Sequence, residues 1–331
     1  MYRVEQVLIP VDFSSFSRSA LAFVRNLAEP VEDEGKPRLV LAHAAAQMPP
    51  YMRRILFPYA ALGEDDREFE AEIVEAATTE LFRYFAIDED LEKRFVAEPA
   101  VEFGAPREMI KRWAGQFSVD LIALGAFGEN GAVPGRLGST AERIVRSSTQ
   151  PVALIRDHDT RPRIRRILVA VDLSKQTPEV LRVATGLALQ QSAELDLVHV
   201  LPSPLLYDTN GLLATELQYD ESKTLESMRP KIDALFERAV ESVEFPFAYR
   251  EMAQSLLQTL IVKSGDPVAE IADTAYEGSY DLVVVGTNSR QGRGAKSSLG
   301  RVASSVIGEV STHLLVVPSV QTQTPLVEMD Q

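Results

Sequence analysis

Gly125 and Gly128, followed after nine residues by Gly138, Ser139 and Thr140, carry the clearest chemistry in this chain. Glycine lets a backbone approach a ligand more closely than any residue with a Cβ. A glycine and two hydroxyl residues opening a helix offer free N–H groups, the positive end of the helix dipole and two extra donors. That set suits an anion, and phosphate above all. Asp12 closes a strand upstream; as an anion it suits a ribose hydroxyl or a bridging Mg²⁺. Singly, such residues are commonplace, because glycines serve turns and Ser or Thr serves as a helix cap. Their joint placement at strand ends is what points to a phosphate cradle.

Other chemistries recede. The chain has no cysteine, which removes disulfides, thiolate nucleophiles and Cys-ligated metal. Its four histidines, His43, His158, His199 and His313, form no close metal-binding pair. His43 and His199 read as packed structural residues, with no nucleophile nearby for a triad. Trp113 reads as core, and the acidic run Gly63-Glu64-Asp65-Asp66 as a helix-start preference. A formal net charge of −14 opposes binding to nucleic acid or anionic lipid. No run approaches the ~20 apolar residues that would span a bilayer. The opening MYRVEQVLIPVDFS lacks the pattern of a secretory leader. These features predict a soluble, cytoplasmic protein with neither nucleic-acid nor membrane partners.

The elements that must position these residues occur twice. Val7-Leu8-Ile9-Pro10-Val11-Asp12 returns as Ile167-Leu168-Val169-Ala170-Val171-Asp172, 160 positions later. His43 matches His199, Gly104-Ala105-Pro106 matches Gly265-Asp266-Pro267, Asp120 through Gly125 matches Asp281 through Gly286, and Gly138 matches Gly300. Five landmarks in one order at a nearly constant offset define an internal repeat. The boundaries fall at 1–157 and 164–320, around a charged, Pro-containing linker. Strands are expected at 5–11, 38–44, 93–98, 120–125 and 151–155, with helices near 15–29, 66–86, 106–117 and 138–147. The second copy predicts strands at 165–171, 194–200, 247–251, 281–286 and 313–317. Continuous apolar strands alternating with helices specify an α/β fold: two tandem, doubly wound, five-stranded parallel-sheet domains. Ligands of such sheets bind beyond the carboxyl ends of the strands, where the winding reverses.

The spacing Gly-x2-Gly-x9-Gly-Ser/Thr after a strand ending Pro10-Val11-Asp12-Phe13-Ser14 resembles the universal stress protein family, over nearly the whole chain and in two copies. The resemblance implies an adenine nucleotide alpha hydrolase-like fold and, for the ATP-binding branch, a site of Pro10, Val11, Asp12, Ala44, Gly125, Gly128, Gly138, Ser139 and Thr140. It implies ATP with Mg²⁺, Ala44 lying against adenine, and a role in stress response through an unknown protein partner. It also implies pairing of the last strands, so that the tandem forms an internal pseudo-dimer, with homodimerisation left open. The second copy departs from the motif: Ser289 replaces the second glycine, ten residues precede Gly300, and Arg301 replaces the hydroxyl residue. ATP is therefore expected in the first copy, with Arg290, Arg293 and Arg301 leaving room for another anion in the second. There is no Walker-type Gly-Lys-Ser/Thr, so a nucleotide-dependent regulator ranks ahead of a slow ATPase or autophosphorylating protein. A ligand-independent scaffold is the third reading. The loops opening at Met48-Pro49-Pro50-Tyr51 and Pro202-Ser203-Pro204 are placed to cover the cleft.

Overall fold

The computed structural model describes residues 2–27, 35–45, 66–85, 94–127, 137–156, 163–204, 220–257, 260–287 and 299–319. Gly128, Met48 to Tyr51, Gly63 to Asp65, Ser289, Arg290, Arg293 and His158 lie outside them. The first half runs β1 (Gln6–Pro10), α1 (Ser15–Leu27), β2 (Arg38–Ala45), α2 (Asp66–Phe85), β3 (Val96–Phe103), α3 (Pro106–Gln116), β4 (Leu121–Gly125), α4 (Ser139–Ser147) and β5 (Val152–Ile155). The second half runs β6 (Arg166–Ala170), α5 (Thr177–Gln191), β7 (Glu194–Pro202), α6 (Glu221–Glu241), α7 (Arg250–Leu256), β8 (Leu260–Gly265), α8 (Pro267–Glu277), β9 (Leu282–Gly286), α9 (Arg301–Glu309) and β10 (His313–Val317).

All ten strands form one sheet, in the order β3-β2-β1-β4-β5-β10-β9-β6-β7-β8. Within each half the strands are parallel, and the halves meet where β5 and β10 pair antiparallel, Leu154 opposite Leu314 and Ala153 opposite Leu315. Both faces of the sheet are covered, which explains the unbroken apolar runs. Val7 and Ile9 join one core cluster while Leu8 joins the other, and Leu315 and Leu314 divide in the same way. Each cluster contains residues of both halves, so the cores continue across the seam.

The repeat extends to backbone detail. Phe13 and Leu173 both have positive φ, at 60° and 57°, directly after the strand-end aspartates. Ser118 and Ser279, which follow α3 and α8, also have positive φ, at 49° and 51°. Asp120 Oδ2 accepts the N–H groups of Glu5 and Gln6, and Asp281 Oδ2 accepts those of Arg165 and Arg166.

Two strand expectations need correction. The strand expected at 93–98 is Val96–Phe103 and passes through Pro99. Proline survives there because β3 is an edge strand, where a missing N–H interrupts no second ladder. The strand expected at 247–251 is instead a 3-10 turn at Phe247–Tyr249 leading into α7, and the true strand is Leu260–Gly265. Apolar alternation at Phe247 and Tyr249 mimicked a strand, yet Phe247 is 90% exposed. The Leu260-Ile261-Val262 run, leading straight into Gly265-Asp266-Pro267, occupies the place of β3 before Gly104-Ala105-Pro106.

Candidate functional site

At the carboxyl ends of β1, β2 and β4 the first half opens a cleft of about 720 Å³. Small-molecule sites span roughly 300–1,000 Å³, and this cleft falls within that range. Pro10, Val11, Asp12, Ala44, Gly125, Gly138, Ser139 and Thr140 all line it. Eight of the nine residues expected from the sequence thus converge; Gly128 falls outside the described residues.

Asp12 follows β1 in a tight turn. Its Oδ1 accepts from the Ser14 N–H at 3.0 Å, the Ser14 hydroxyl at 2.6 Å and the Ser17 hydroxyl at 2.7 Å. Oδ2 has no partner among the described residues and remains available to a ligand. Tyr84 on α2 donates its hydroxyl to the Ser14 carbonyl, and its ring meets Phe13 edge-on at 5.3 Å. Arg18 stacks over the same ring at 4.2 Å. The turn, with its positive φ at Phe13, is therefore held from both sides, as a strained strand end at a site requires.

The two glycines described in the motif serve different ends. A Cβ on Gly125 would meet Phe16 Cβ at 2.5 Å, so this glycine admits the first turn of α1 against β4. Its close approach is to a helix, whatever it also offers a ligand. Gly138 has φ −60° and ψ 144°, angles open to any residue, so backbone geometry does not explain its missing side chain. Its N–H donates to the Ala126 carbonyl at 2.9 Å, which pins the end of the loop to the end of β4. No side chain caps α4. The first turn of α4 lines the cleft, and neither Ser139 nor Thr140 has a hydroxyl partner among the described residues. This is an uncapped helix N-terminus with two spare hydroxyls, an arrangement suited to an anion. Glu142 in the same turn is paired with Arg146 at 3.0 Å, which offsets its charge.

Sequence reasoning missed part of the lining. Ser17 orders Asp12, and the signal for it was present: Thr177 stands at the same spacing from Asp172, whose Oδ1 it reaches at 3.3 Å. His43 lines the cleft while playing the structural role expected of it, its Nδ1 donating to the Val11 carbonyl at 2.8 Å, as His199 does to Val171. Trp113 is 1% exposed, as a core residue should be, yet it borders the cleft and its indole N–H donates to Glu102 at 2.8 Å. Partial burial opposes ionisation of Glu102, but the bonds from Arg112 and Trp113 prevail and hold its carboxyl below the usual range.

The second half keeps the frame and changes the contents. Gly300 begins α9 with no side-chain cap, but exposed Arg301 takes the place of Ser139. Thr287 stands where the first half has Ala126, and its hydroxyl accepts the Ser319 N–H at 3.1 Å. Gly286 is packed against Gln176.

A doubly wound parallel sheet, with a cleft beyond its strand ends and a bare helix N-terminus on one wall, places the protein in the Rossmann-like α/β class. The model of the universal stress protein family matches residues 3–156 and again 163–318. The chain therefore belongs to that family, as a tandem two-domain member. It is 28% identical over 161 residues to a universal stress protein of Methanocaldococcus jannaschii, covering 47% of this chain and 96% of that one. A universal stress protein A homolog of Coxiella burnetii is 28% identical over 129 residues, 39% of this chain and 79% of its own. Among solved structures, a universal stress protein from Archaeoglobus fulgidus superposes with a TM-score of 0.58 at 21% identity, covering 96% of this chain and 97% of its own. Among the described residues no helix is long and apolar enough to cross a membrane, and no cluster of three or more His, Asp or Glu stands ready to hold a metal.

Proposed function

We propose that the protein binds one ATP in the first-half cleft and acts as a nucleotide-dependent stress-response regulator. The observation that carries this reading is the convergence of Asp12, Ala44 and the bare first turn of α4 on one cleft of sufficient volume. The base lies against Val11 and Ala44, the ribose meets Asp12 Oδ2, and the phosphates take the N–H groups of α4 with the Ser139 and Thr140 hydroxyls. Among the described residues no carboxylate cluster stands ready to hold Mg²⁺, so the ion is carried mainly by the phosphates, with Asp12 and the Arg146-paired Glu142 as acidic residues of the lining. The sequence has no Walker-type Gly-Lys-Ser/Thr and so lacks the lysine that assists phosphoryl transfer, which favours binding over hydrolysis. In the second half, Arg301 at the helix start removes the hydroxyl that the phosphates use.

Calorimetric titration of the full chain with Mg-ATP tests the proposal. The expected stoichiometry is about one per chain, with binding lost in Gly138→Asp. That variant should fold, because the backbone at Gly138 accepts any residue and Asp is a favoured N-cap; its charge, however, opposes phosphate. Two sites per chain, or none, would overturn the proposal.

A further inference from the structure

Helix α9 belongs to the second half, yet its Ser304, Ile307 and Gly308 line the cleft of the first. The topology accounts for this. β10 runs antiparallel to β5, so the helix that precedes β10 brings its last turn to the carboxyl end of β5. The Arg156 N–H donates to His313 Nδ1 at 3.4 Å, tying the end of β5 to the start of β10. Ala303, Val306 and Ile307 share one core cluster with Ala141, Ile144 and Val145 of α4, and residues of both helices line the same cleft. Ser304 and Gly308, four residues apart, lie one above the other on the helix.

This small-residue strip has two unspent features. Gly308, in the last turn of α9, presents no side chain to the cleft it lines. The Ser304 hydroxyl has no partner among the described residues. Strand order then gives a direction. Ala44 stands on β2, Asp12 follows β1, Gly125 ends β4, and α9 comes next beyond β5. A nucleotide with its base at Ala44 and its first phosphates over α4 therefore extends its tail toward α9.

We infer that the second half completes the first half's pocket: Ser304 hydrogen-bonds the terminal phosphate of a nucleoside triphosphate, and Gly308 makes space for it. The inference rests on the nucleotide reading above and deepens it. It assigns the degenerate second repeat a part in its neighbour's site, and it makes ligand binding bridge the β5–β10 seam. It also separates triphosphates from monophosphates, because a monophosphate ends over α4 and does not reach α9.

The test is calorimetric titration of the full chain with Mg-ATP and with AMP, for wild type, Ser304→Asp, Gly308→Val and Gly138→Asp. Ser304→Asp sets a carboxylate against the terminal phosphate and should weaken ATP by about tenfold or more while changing AMP by less than about twofold. Gly308→Val should show the same ordering through bulk, with circular dichroism and melting confirming that each variant is folded. Gly138→Asp should weaken both nucleotides. Equal losses of ATP and AMP in Ser304→Asp, or intact ATP binding in it beside a dead Gly138→Asp, would remove α9 from the site and leave the nucleotide reading standing. A wild-type chain that binds neither nucleotide would overturn both.

Discussion

At the scale of single residues, one carboxylate orders the turn that lines the cleft and another holds the indole of Trp113, which borders it. Asp12 spends one oxygen on Ser14 and Ser17, and its other has no partner among the described residues. Glu102 spends both, one on Arg112 and one on Trp113, a buried indole beside the cleft. Leaving a buried donor unpaired costs about 1–3 kcal/mol, so Glu102→Leu should destabilise the protein by that order in urea denaturation at neutral pH. The sign with pH follows from the lowered pKa of Glu102. A carboxylate with a depressed folded-state pKa stabilises above its unfolded pKa of roughly 4.3 and loses that contribution as pH falls through the folded value. The stability gap between wild type and Glu102→Leu should therefore narrow below that pH. A gap independent of pH would mean that packing alone holds Trp113. Asp12 was legible in the sequence because it ends a strand and recurs at Asp172. The Glu102–Trp113 bond was not, since it joins a strand to the following helix and leaves no periodic trace.

At the scale of elements, each half anchors its first strand with an aspartate that opens its fourth. Asp120 and Asp281 take two adjacent N–H groups each, in the same geometry. Asp120→Ala and Asp281→Ala should each cost about 1–2 kcal/mol, from hydrogen bonds to a charged acceptor that are partly regained from water. The two losses should add in the double variant, because the anchored N–H groups differ and lie in different halves. Chemical denaturation measures this, and a strongly unequal pair would show that the equivalence is one of geometry and not of energy. The aspartates stood out in the sequence only as repeat landmarks. Most elements were legible from apolar runs buried on both faces. β8 was not: Phe247 and Tyr249 mimicked a strand locally, and only the pairing of Leu260–Gly265 with β7 selects the true one.

At the scale of the molecule, the seam between β5 and β10 turns two five-stranded sheets into one. Leu315 is 2% exposed and sits opposite Ala153 in a cluster that spans both halves. Leu315→Ala should cost about 2–5 kcal/mol, as truncation of a closely packed leucine does. Ile261 lies half-buried on the edge strand β8, where Ile261→Ala should cost less because the surroundings can relax and water can enter. Equilibrium unfolding of both variants compares them; equal losses would mean the seam is no better packed than the edge.

The repeat, the α/β class, the strand ends carrying Asp12, Ala44 and Gly125, and the helix start at Gly138 were all determined by the sequence itself. Each is a local matter of which residues bury on a sheet and which turn at its end. The tertiary structure decided what depends on residues far apart in the chain. It brought Phe16 onto Gly125, set the indole of Trp113 on Glu102, and carried α9 across the seam to the wall of the first cleft. The last of these follows from the antiparallel direction in which β10 joins β5, a choice made by the packing of two halves and encoded in no single stretch of either.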